Sequence, residues 1–238
     1  MNFPYKRILL KLSGESLLGN QGYGINKEAC HTISHSIKEL IDHGIQVGVV
    51  IGAGNIFRGN QGAALGLDKT PADHMGMLAT IMNSIALEQT LNKLGAQAVI
   101  YSALECPRVA HTFRLDEVNR SLEEGRVVIF SGGTGNPYFT TDSAGALRAS
   151  EIRADILLKA TTVDGVYDKD PRTHSDAKKY EQITYSQVLA ENLRVMDATA
   201  TALCMDNKIP IYVFNIFDNP SIVSVLNHLN NGTLVKET

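Results

Sequence analysis

Six short runs rich in Val, Ile and Leu recur along the chain, and the segments between them carry helical periodicity. Such alternation is satisfied by a mostly parallel sheet with helices packed on its faces. The runs read as strands Arg7 to Leu12, Gln46 to Ile51, Ala98 to Tyr101, Arg126 to Phe130, Asp155 to Lys159 and Pro210 to Phe214. Between the first two, Ala29, Ile33, Ile37, Leu40 and Ile41 repeat at helical spacing, with Asn26 as N-cap and Gly44 as the stop. Between the second and third, Thr70-Pro71 opens a helix that runs to Gly95. Its core face is read as Met75, Leu78, Met82, Ile85 and Leu91, the methionines serving as filler. The α/β chain shows no internal repeat and no Pro/Ser-rich linker, so any boundary falls near residue 160 inside continuous structure.

Composition narrows the function classes. A chain of 238 residues that is 44% hydrophobic can bury a sizeable core. With 22 basic against 25 acidic side chains it lacks the cationic excess that tracks nucleic acid. Cys30, Cys106 and Cys204 lie far apart without a C-x-x-C pair, which reads as reduced thiols rather than a disulfide frame or zinc site. No basic leader precedes an apolar core, and no apolar run approaches the roughly 20 residues a spanning helix needs. The expected location is the cytoplasm, with no membrane partner.

Ligands in open parallel sheets collect beyond the carboxyl ends of the strands. Three strand exits here are unusual: Lys11-Leu-Ser-Gly-Glu15, Gly52-Ala-Gly-Asn-Ile-Phe-Arg-Gly59 and Ser131-Gly-Gly-Thr-Gly-Asn-Pro-Tyr-Phe-Thr-Thr-Asp-Ser143. Glycines let backbone N–H groups approach an anion closely, and a following helix N-terminus adds its positive dipole end. With Lys11 and Arg58 beside them, the three exits point to a polyphosphate site. The Walker pattern is absent, the G-x-G-x-x-G fingerprint fails at Phe57, and the protein-kinase H-R-D and D-F-G elements are missing. His31 and His35 lack a zincin glutamate and read as a solvated helix face, and Ser143 has no nucleophile elbow. Phosphoryl transfer by positioning and charge remains.

The segments K-L-S-G at 11–14, G-A-G-N-I-F-R-G at 52–59, D-H-M-G-M-L-A-T at 73–80, T-G-N-P-Y-F-T-T-D-S at 134–143 and K-A-T-T-V-D-G-V-Y at 159–167 resemble the bacterial uridylate kinases of the amino-acid kinase superfamily. The resemblance covers essentially the whole chain. It implies a three-layer αβα sandwich, transfer of the ATP γ-phosphate to UMP to form UDP, and a homohexamer. It also implies Mg²⁺ as cofactor, held mainly by phosphates and water. Residues up to about 158 would form the acceptor lobe and those from 159 to 238 the donor lobe.

The resemblance also implies roles. Lys11 matches the lysine at the transferring phosphoryl group, where a compact ammonium offsets developing charge. Arg58 matches the arginine that meets the acceptor phosphate, which its planar fork suits. Asp142 matches the aspartate that orients the lysine, although a helix N-cap explains it equally well. Asp73 matches the residue taking the ribose hydroxyls, although a helix-start carboxylate has its own electrostatic reason. Ala53, Thr134, Gly135, Asn136, Pro137, Tyr138, Phe139, Thr140 and Thr141 complete the implied UMP set. Within it the Thr134–Asn136 edge reads uracil, Phe139 forms an apolar wall, and Thr140 and Thr141 receive the phosphate. The implied ATP set is Lys11, Leu12, Ser13, Gly14, Gly54, Arg58, Thr161, Tyr167 and Asp170, with Tyr167 against adenine and the Asp164-Gly165 turn shaping the cleft.

Two departures accompany the match. Ala53 stands where the family usually has glycine, so its methyl needs an ordinary φ and clearance. Enzymes of this type are often activated by GTP and inhibited by UTP, yet Glu88 and Asn92 occupy helix positions where some relatives carry basic or histidine residues. The Gly19, Asn20, Gln21, Gly22, Tyr23, Gly24 loop resembles a segment tied to this regulation, and a flexible glycine hairpin explains it as well. Two other readings stay open: a kinase of the same superfamily acting on a carboxylate, and a nucleotide-binding assembly protein without turnover.

Overall fold

The six apolar runs form the six parallel strands at the centre of the sheet, because their β-branched residues suit a pleated surface buried on both faces. In the computed structural model, which describes residues 3–193, 195–218, 221–229 and 231–237, with the backbone alone at 59, 60 and 63, these are β1 (Arg7–Leu12), β2 (Gln46–Ile51), β3 (Ala98–Ser102), β5 (Val127–Ser131), β6 (Ile156–Thr161) and β10 (Ile211–Asn215). Shorter strands β4 (His111–Thr112), β9 (Gln182–Ile183) and β11 (Thr233–Val235) extend the edges. The order across the sheet is β4-β3-β5-β2-β1-β6-β10-β11-β9, with β11 antiparallel to β10. A small hairpin, β7 (Val166–Tyr167) with β8 (Lys179–Tyr180), stands apart. It is tied to the sheet by Thr233, whose hydroxyl donates to Tyr180 O and accepts from Val166 N.

The helices are α1 (Lys27–Asp42), α2 (Gly59–Ala64), α3 (Lys69–Lys93), α4 (Leu115–Glu123), α5 (Thr141–Glu151), α6 (Tyr185–Ala190), α7 (Ala198–Asp206) and α8 (Ile222–His228). Asn26 caps α1 as expected, its Oδ1 accepting from Ala29 N at 2.9 Å, and Gly44 follows the helix at φ 78°. Helices α1, α8 and the C-terminal half of α3 cover one sheet face, and α4 to α7 cover the other, giving the expected αβα sandwich.

Alternation along β1 sorts its side chains between these layers. Ile8, Leu10 and Leu12 enter the core with Ile33, Ile37 and Leu40 of α1, whereas Leu9 enters the core with Ala146 and Ala149 of α5. Each fully buried leucine contributes about 2 kcal/mol by removal from water. Lys11 continues the Leu9 side and Lys159 continues the Leu157 side, so two lysines are placed on a buried face where an unpaired charge would cost several kcal/mol. Partners for them must come from α5.

Helix α3 corrects the sequence reading. Met75, Leu78 and Met82 are 40%, 50% and 55% exposed, and the buried face is Ala72, Met77, Ala79, Thr80, Ile81, Asn83, Ser84, Leu87 and Leu91. Small and hydroxyl side chains let the first half of α3 lie close to the glycine loops, which is why the larger apolar side chains point away. The helix starts at Lys69, one residue before Thr70. Cys30, Cys106 and Cys204 are free thiols. Among the described residues no helix is long and apolar enough to cross a membrane.

The chain leaves β1 towards β2 on one side, and β6 lies on its other side. The exits of β1, β2, β5 and β6 therefore share one edge at a topological switch point, where open sheets hold ligands.

Candidate active site

Asp142 occupies the first turn of α5 and bridges the two lysines. Its Oδ1 is 2.6 Å from Lys11 Nζ and its Oδ2 is 2.8 Å from Lys159 Nζ. Lys159 Nζ also donates to Val195 O. Gly145, one turn along, faces the Lys11 stem, where a Cβ would make ordinary contact with Lys11 Cγ at 3.4 Å. Burial alone would raise the Asp142 carboxyl, but the two ammonium groups outweigh it and hold the pKa below the usual carboxylate value. Burial pulls Lys159 below its ordinary value and Lys11 pushes the same way, against Asp142. Asp142 is not the N-cap: that role belongs to Thr140, whose Oγ1 accepts from Asp142 N at 3.0 Å and Ser143 N at 3.4 Å.

The exits of β1 and β2 interlock beside this bridge. A Cβ on Gly14 would fall 2.7 Å from both Gly52 O and Gly54 N, so the two backbones meet at a spacing that excludes any side chain at residue 14. Ser13 caps a short 3-10 turn, its Oγ accepting from Glu15 N at 3.3 Å, while Leu12 turns its side chain into the core. Ala53 is absent from the positive-φ residues and 8% exposed, so its methyl is accommodated without backbone strain. Arg58 projects from the end of this loop, pairing with Glu15 Oε1 at 2.7 Å and with Gly54 O at 3.0 Å. Thr141 Oγ1 lies 3.3 Å from where a Gly52 Cβ would stand, which sets the start of α5 against the exit of β2.

The exit of β5 turns through Gly132, Gly133 and Gly135 at φ 74°, 60° and 81°. Thr80 Oγ1 of α3 anchors it by accepting from Gly132 N at 2.8 Å. Thr134 and Asn136 close on each other: Thr134 Oγ1 donates to Asn136 O and accepts from Asn136 N, both at 3.1 Å. Beyond Pro137, Tyr138 takes φ 72° with its N–H on Asp73 Oδ2 at 2.7 Å. Lys69 Nζ lies 3.0 Å from both Asp73 oxygens and 5.4 Å from the Tyr138 ring centre. Burial pushes the Asp73 carboxyl up, but the Tyr138 N–H and Lys69 bring the balance below the usual value. Asp73 thus clamps the loop, and the Tyr138 and Phe139 rings stand 67% and 50% exposed as its lip.

A cavity of about 470 Å³ opens past the exit of β6, lined by Thr162, Val163, Tyr167, Asp170, Asn192 and Leu193 among others. Tyr167 OH donates to Asp164 Oδ1 at 2.8 Å, and burial first, then this carboxylate, raises the phenol pKa. Lys179 Nζ holds the other Asp164 oxygen at 3.0 Å. Asp170 accepts from Arg172 N at 3.0 Å. Thr161 ends β6, its O accepting from Ile216 N.

The fold therefore gathers Lys11, Gly14, Ala53, Gly54, Arg58, Thr141 and Asp142 at one edge, with Asp73 and the Thr134–Thr140 loop beside it. Tyr167 and Asp170 line the cavity beyond β6. The Gly19–Gly24 loop is apart from these groups and touches them through Asn55, whose Nδ2 donates to Gly24 O at 2.9 Å. Sequence reasoning left three contributors without a role. Lys159 was legible as a lysine on a buried strand. Asp197 caps α7 and accepts from Thr140 and from Ser143 Oγ, at 3.0 and 2.9 Å from the latter, locking α5 to α7. The buried Asn55–Asn83 pair had no local signal.

A switch-point site with a carboxylate-bridged lysine pair and glycine exits suits phosphoryl transfer, the chemistry of a phosphotransferase. The amino acid kinase family model matches residues 6–215, and the chain belongs to that family. It is 58% identical to the uridylate kinase of Protochlamydia amoebophila, over 99% of this chain and 94% of that one. The UMP kinase of Ureaplasma parvum superimposes with a TM-score of 0.94 at 41% identity, covering 100% of both chains. The UMP kinase of Bacillus anthracis gives 0.93 at 37%, covering 98% and 96%.

Proposed function

We propose that this chain is an ATP-dependent UMP kinase that forms UDP by in-line transfer without a general base. The observation that carries the reading is the Lys11–Asp142–Lys159 bridge at the edge where the glycine exits converge, in a chain similar over its whole length to uridylate kinases. A phosphate monoester has its second pKa near 6, so the attacking oxygen of UMP is mostly ionised at pH 7 and needs no base. The barrier is then repulsion between two anions, offset by cations and amides fixed in advance.

In this reading Lys11 sits at the transferring phosphoryl group and Lys159 at the donor phosphates, with Asp142 aiming both. Gly14, Ala53 and Gly54 offer backbone N–H groups, and Leu12 and Ser13 carry the β1 exit beside them. Arg58 leaves Glu15 to take the acceptor phosphate with Thr140 and Thr141. The Thr134–Phe139 loop encloses uracil, and Asp73 serves the ribose while holding that loop. Thr161, Tyr167 and Asp170 serve ATP in the cavity beyond β6, so residues to about 158 form an acceptor side and 159–238 a donor side. Mg²⁺ would enter with ATP and be held mainly by phosphates and water.

The wider reading is a cytoplasmic homohexamer with GTP and UTP as effectors acting near Gly19–Gly24 and α3. The exposed Met75, Leu78 and Met82 stripe supports self-association, since it is contiguous along one helix face. The deciding experiment is an ATP-dependent assay against UMP, CMP, dUMP and amino-acid acceptors. Turnover confined to UMP or strongly favouring it is expected. A carboxylate acceptor preferred over UMP, or no turnover with any, overturns the reading.

A further inference from the structure

Asn55 and Asn83 form a closed amide pair beneath the phosphate-facing loops. Asn55 Nδ2 donates to Asn83 Oδ1 at 2.9 Å, and Asn83 Nδ2 donates to Asn55 Oδ1 at 2.8 Å. The remaining N–H of each amide leaves the pair: Asn55 donates to Gly24 O at 2.9 Å and Asn83 to Gly52 O at 2.8 Å. All four N–H groups are used, and turning either amide over would set oxygen against oxygen. The side chains are 2% and 0% exposed. Neither therefore reaches a ligand.

Four segments meet on this pair. Asn83 brings the middle of α3, and Asn55 brings the exit of β2. Gly24 is gripped twice, since its N–H also donates to Asn55 O at 2.8 Å. Gly14 lies so close that a Cβ there would be 2.6 Å from Asn55 Oδ1. An apolar pair of similar volume would pack α3 as well, and buried polar pairs add little net stability over such packing. What an apolar pair could not do is hold two named backbone carbonyls, at Gly24 and Gly52, in fixed places.

We propose that Asn55 and Asn83 are positioning residues for phosphoryl transfer. The pair sets the separation of the Gly14 and Gly52–Gly54 backbones and ties that separation to the Gly19–Gly24 loop and to α3. This rests on the reading of those backbones as the phosphate cradle.

The test exploits proton count. In Asn83→Asp a neutral acid keeps one donor for Gly52 O or Asn55 Oδ1, whereas the carboxylate has none and faces both acceptors. Burial and those acceptors push the new carboxyl above its usual pKa. Turnover relative to wild type, measured well below each melting temperature, should be down about tenfold or more at pH 8 and within about threefold at pH 6. Substrate ionisation cancels in the ratio. The loss should lie in kcat, with KM for UMP and ATP changed less than about threefold. Asn55→Asp, on a loop rather than mid-helix, should behave alike. A ratio flat between pH 6 and pH 8 in both variants overturns the proposal, as does failure of both to fold at pH 6, which would make the pair a stability element. Lys11→Ala runs beside them: full turnover there refutes the phosphate-site reading itself, while its loss together with flat Asn→Asp ratios refutes the pair's role alone.

Discussion

Lys11 and Lys159 are direct register partners on β1 and β6, and Asp142 holds one with each carboxylate oxygen, at 2.6 and 2.8 Å. Side chains directly opposite on neighbouring strands are about 5 Å apart, so like charges there repel. One carboxylate shared between two ammonium groups leaves the bridge with one net positive charge on a face that is otherwise buried. Under the proposed function an arriving polyphosphate would meet a cation already fixed and partly dehydrated, which is the condition under which electrostatic stabilisation is largest.

Arg58 and Lys11 should separate function from stability. The Arg58 side chain is 51% exposed and its Glu15 pair is a surface contact, worth at most about 1 kcal/mol. Arg58→Ala should therefore melt within a few degrees of wild type while turnover falls by about 100-fold or more. Lys11→Ala should show a similar loss of turnover. Steady-state rates near wild type in either variant contradict the assigned roles.

Asp142 should show in the acid limb of stability. Its folded pKa lies below the ordinary 3.8, so its contribution is fully present above that value and is lost as pH falls through the folded pKa. Lys159 runs the other way: its folded pKa is lowered, so the charged form is a cost at neutral pH that is relieved as pH rises towards the ordinary 10.5. Asp142→Asn leaves two buried ammonium groups without their anion and should cost about 3 kcal/mol at pH 7. Denaturant titrations from pH 7 to pH 3 should show wild type and variant converging below pH 4. A constant gap across that range refutes the linkage.

How far the sequence could be read depended on what carries information locally. The long central strands and α1 were legible because period two, period 3.6 and the Asn26 and Gly44 signals agree. Strands β4, β9 and β11 are two or three residues long and owe their pairing to neighbours, so no periodicity marks them. The face of α3 was misread because its packing partners are glycine loops: small residues were buried, and Leu78 and Met82 were free to point out. Lys11, Arg58 and Asp142 were visible as charges at strand exits. Asn55, Asn83 and Asp197 act by contacts 28 to 57 residues away in sequence, which no local pattern announces.

Asp73 should act on UMP and not on ATP. Asp73→Ala removes the acceptor of the Tyr138 N–H and the partner of Lys69, leaving a non-glycine residue at φ 72° without its clamp. That conformation costs about 1 to 2 kcal/mol, so the loop should open. KM for UMP should rise about tenfold and KM for ATP should stay within about twofold. Equal rises in both would place the defect elsewhere.

The exposed stripe on α3 should control assembly. Leu78→Glu together with Met82→Glu puts charge on a face that contributes nothing to the monomer core, so the melting temperature at low concentration should be little changed. Sedimentation velocity should show the wild type as an oligomer and the double variant as smaller species. An unchanged distribution would assign assembly to a different surface.

Glu88 should weaken any response to GTP. It lines a cavity of about 320 Å³ with Arg108 and His111, and burial raises its carboxyl pKa while His111 opposes that rise. A carboxylate at this place repels a triphosphate with about 1 kcal/mol or more per close charge. Initial rates at fixed ATP and UMP should rise less than about twofold on adding GTP, and Glu88→Lys should increase the activation and lower the GTP concentration it requires. Strong activation of the wild-type protein would mean that the effector binds away from this carboxylate.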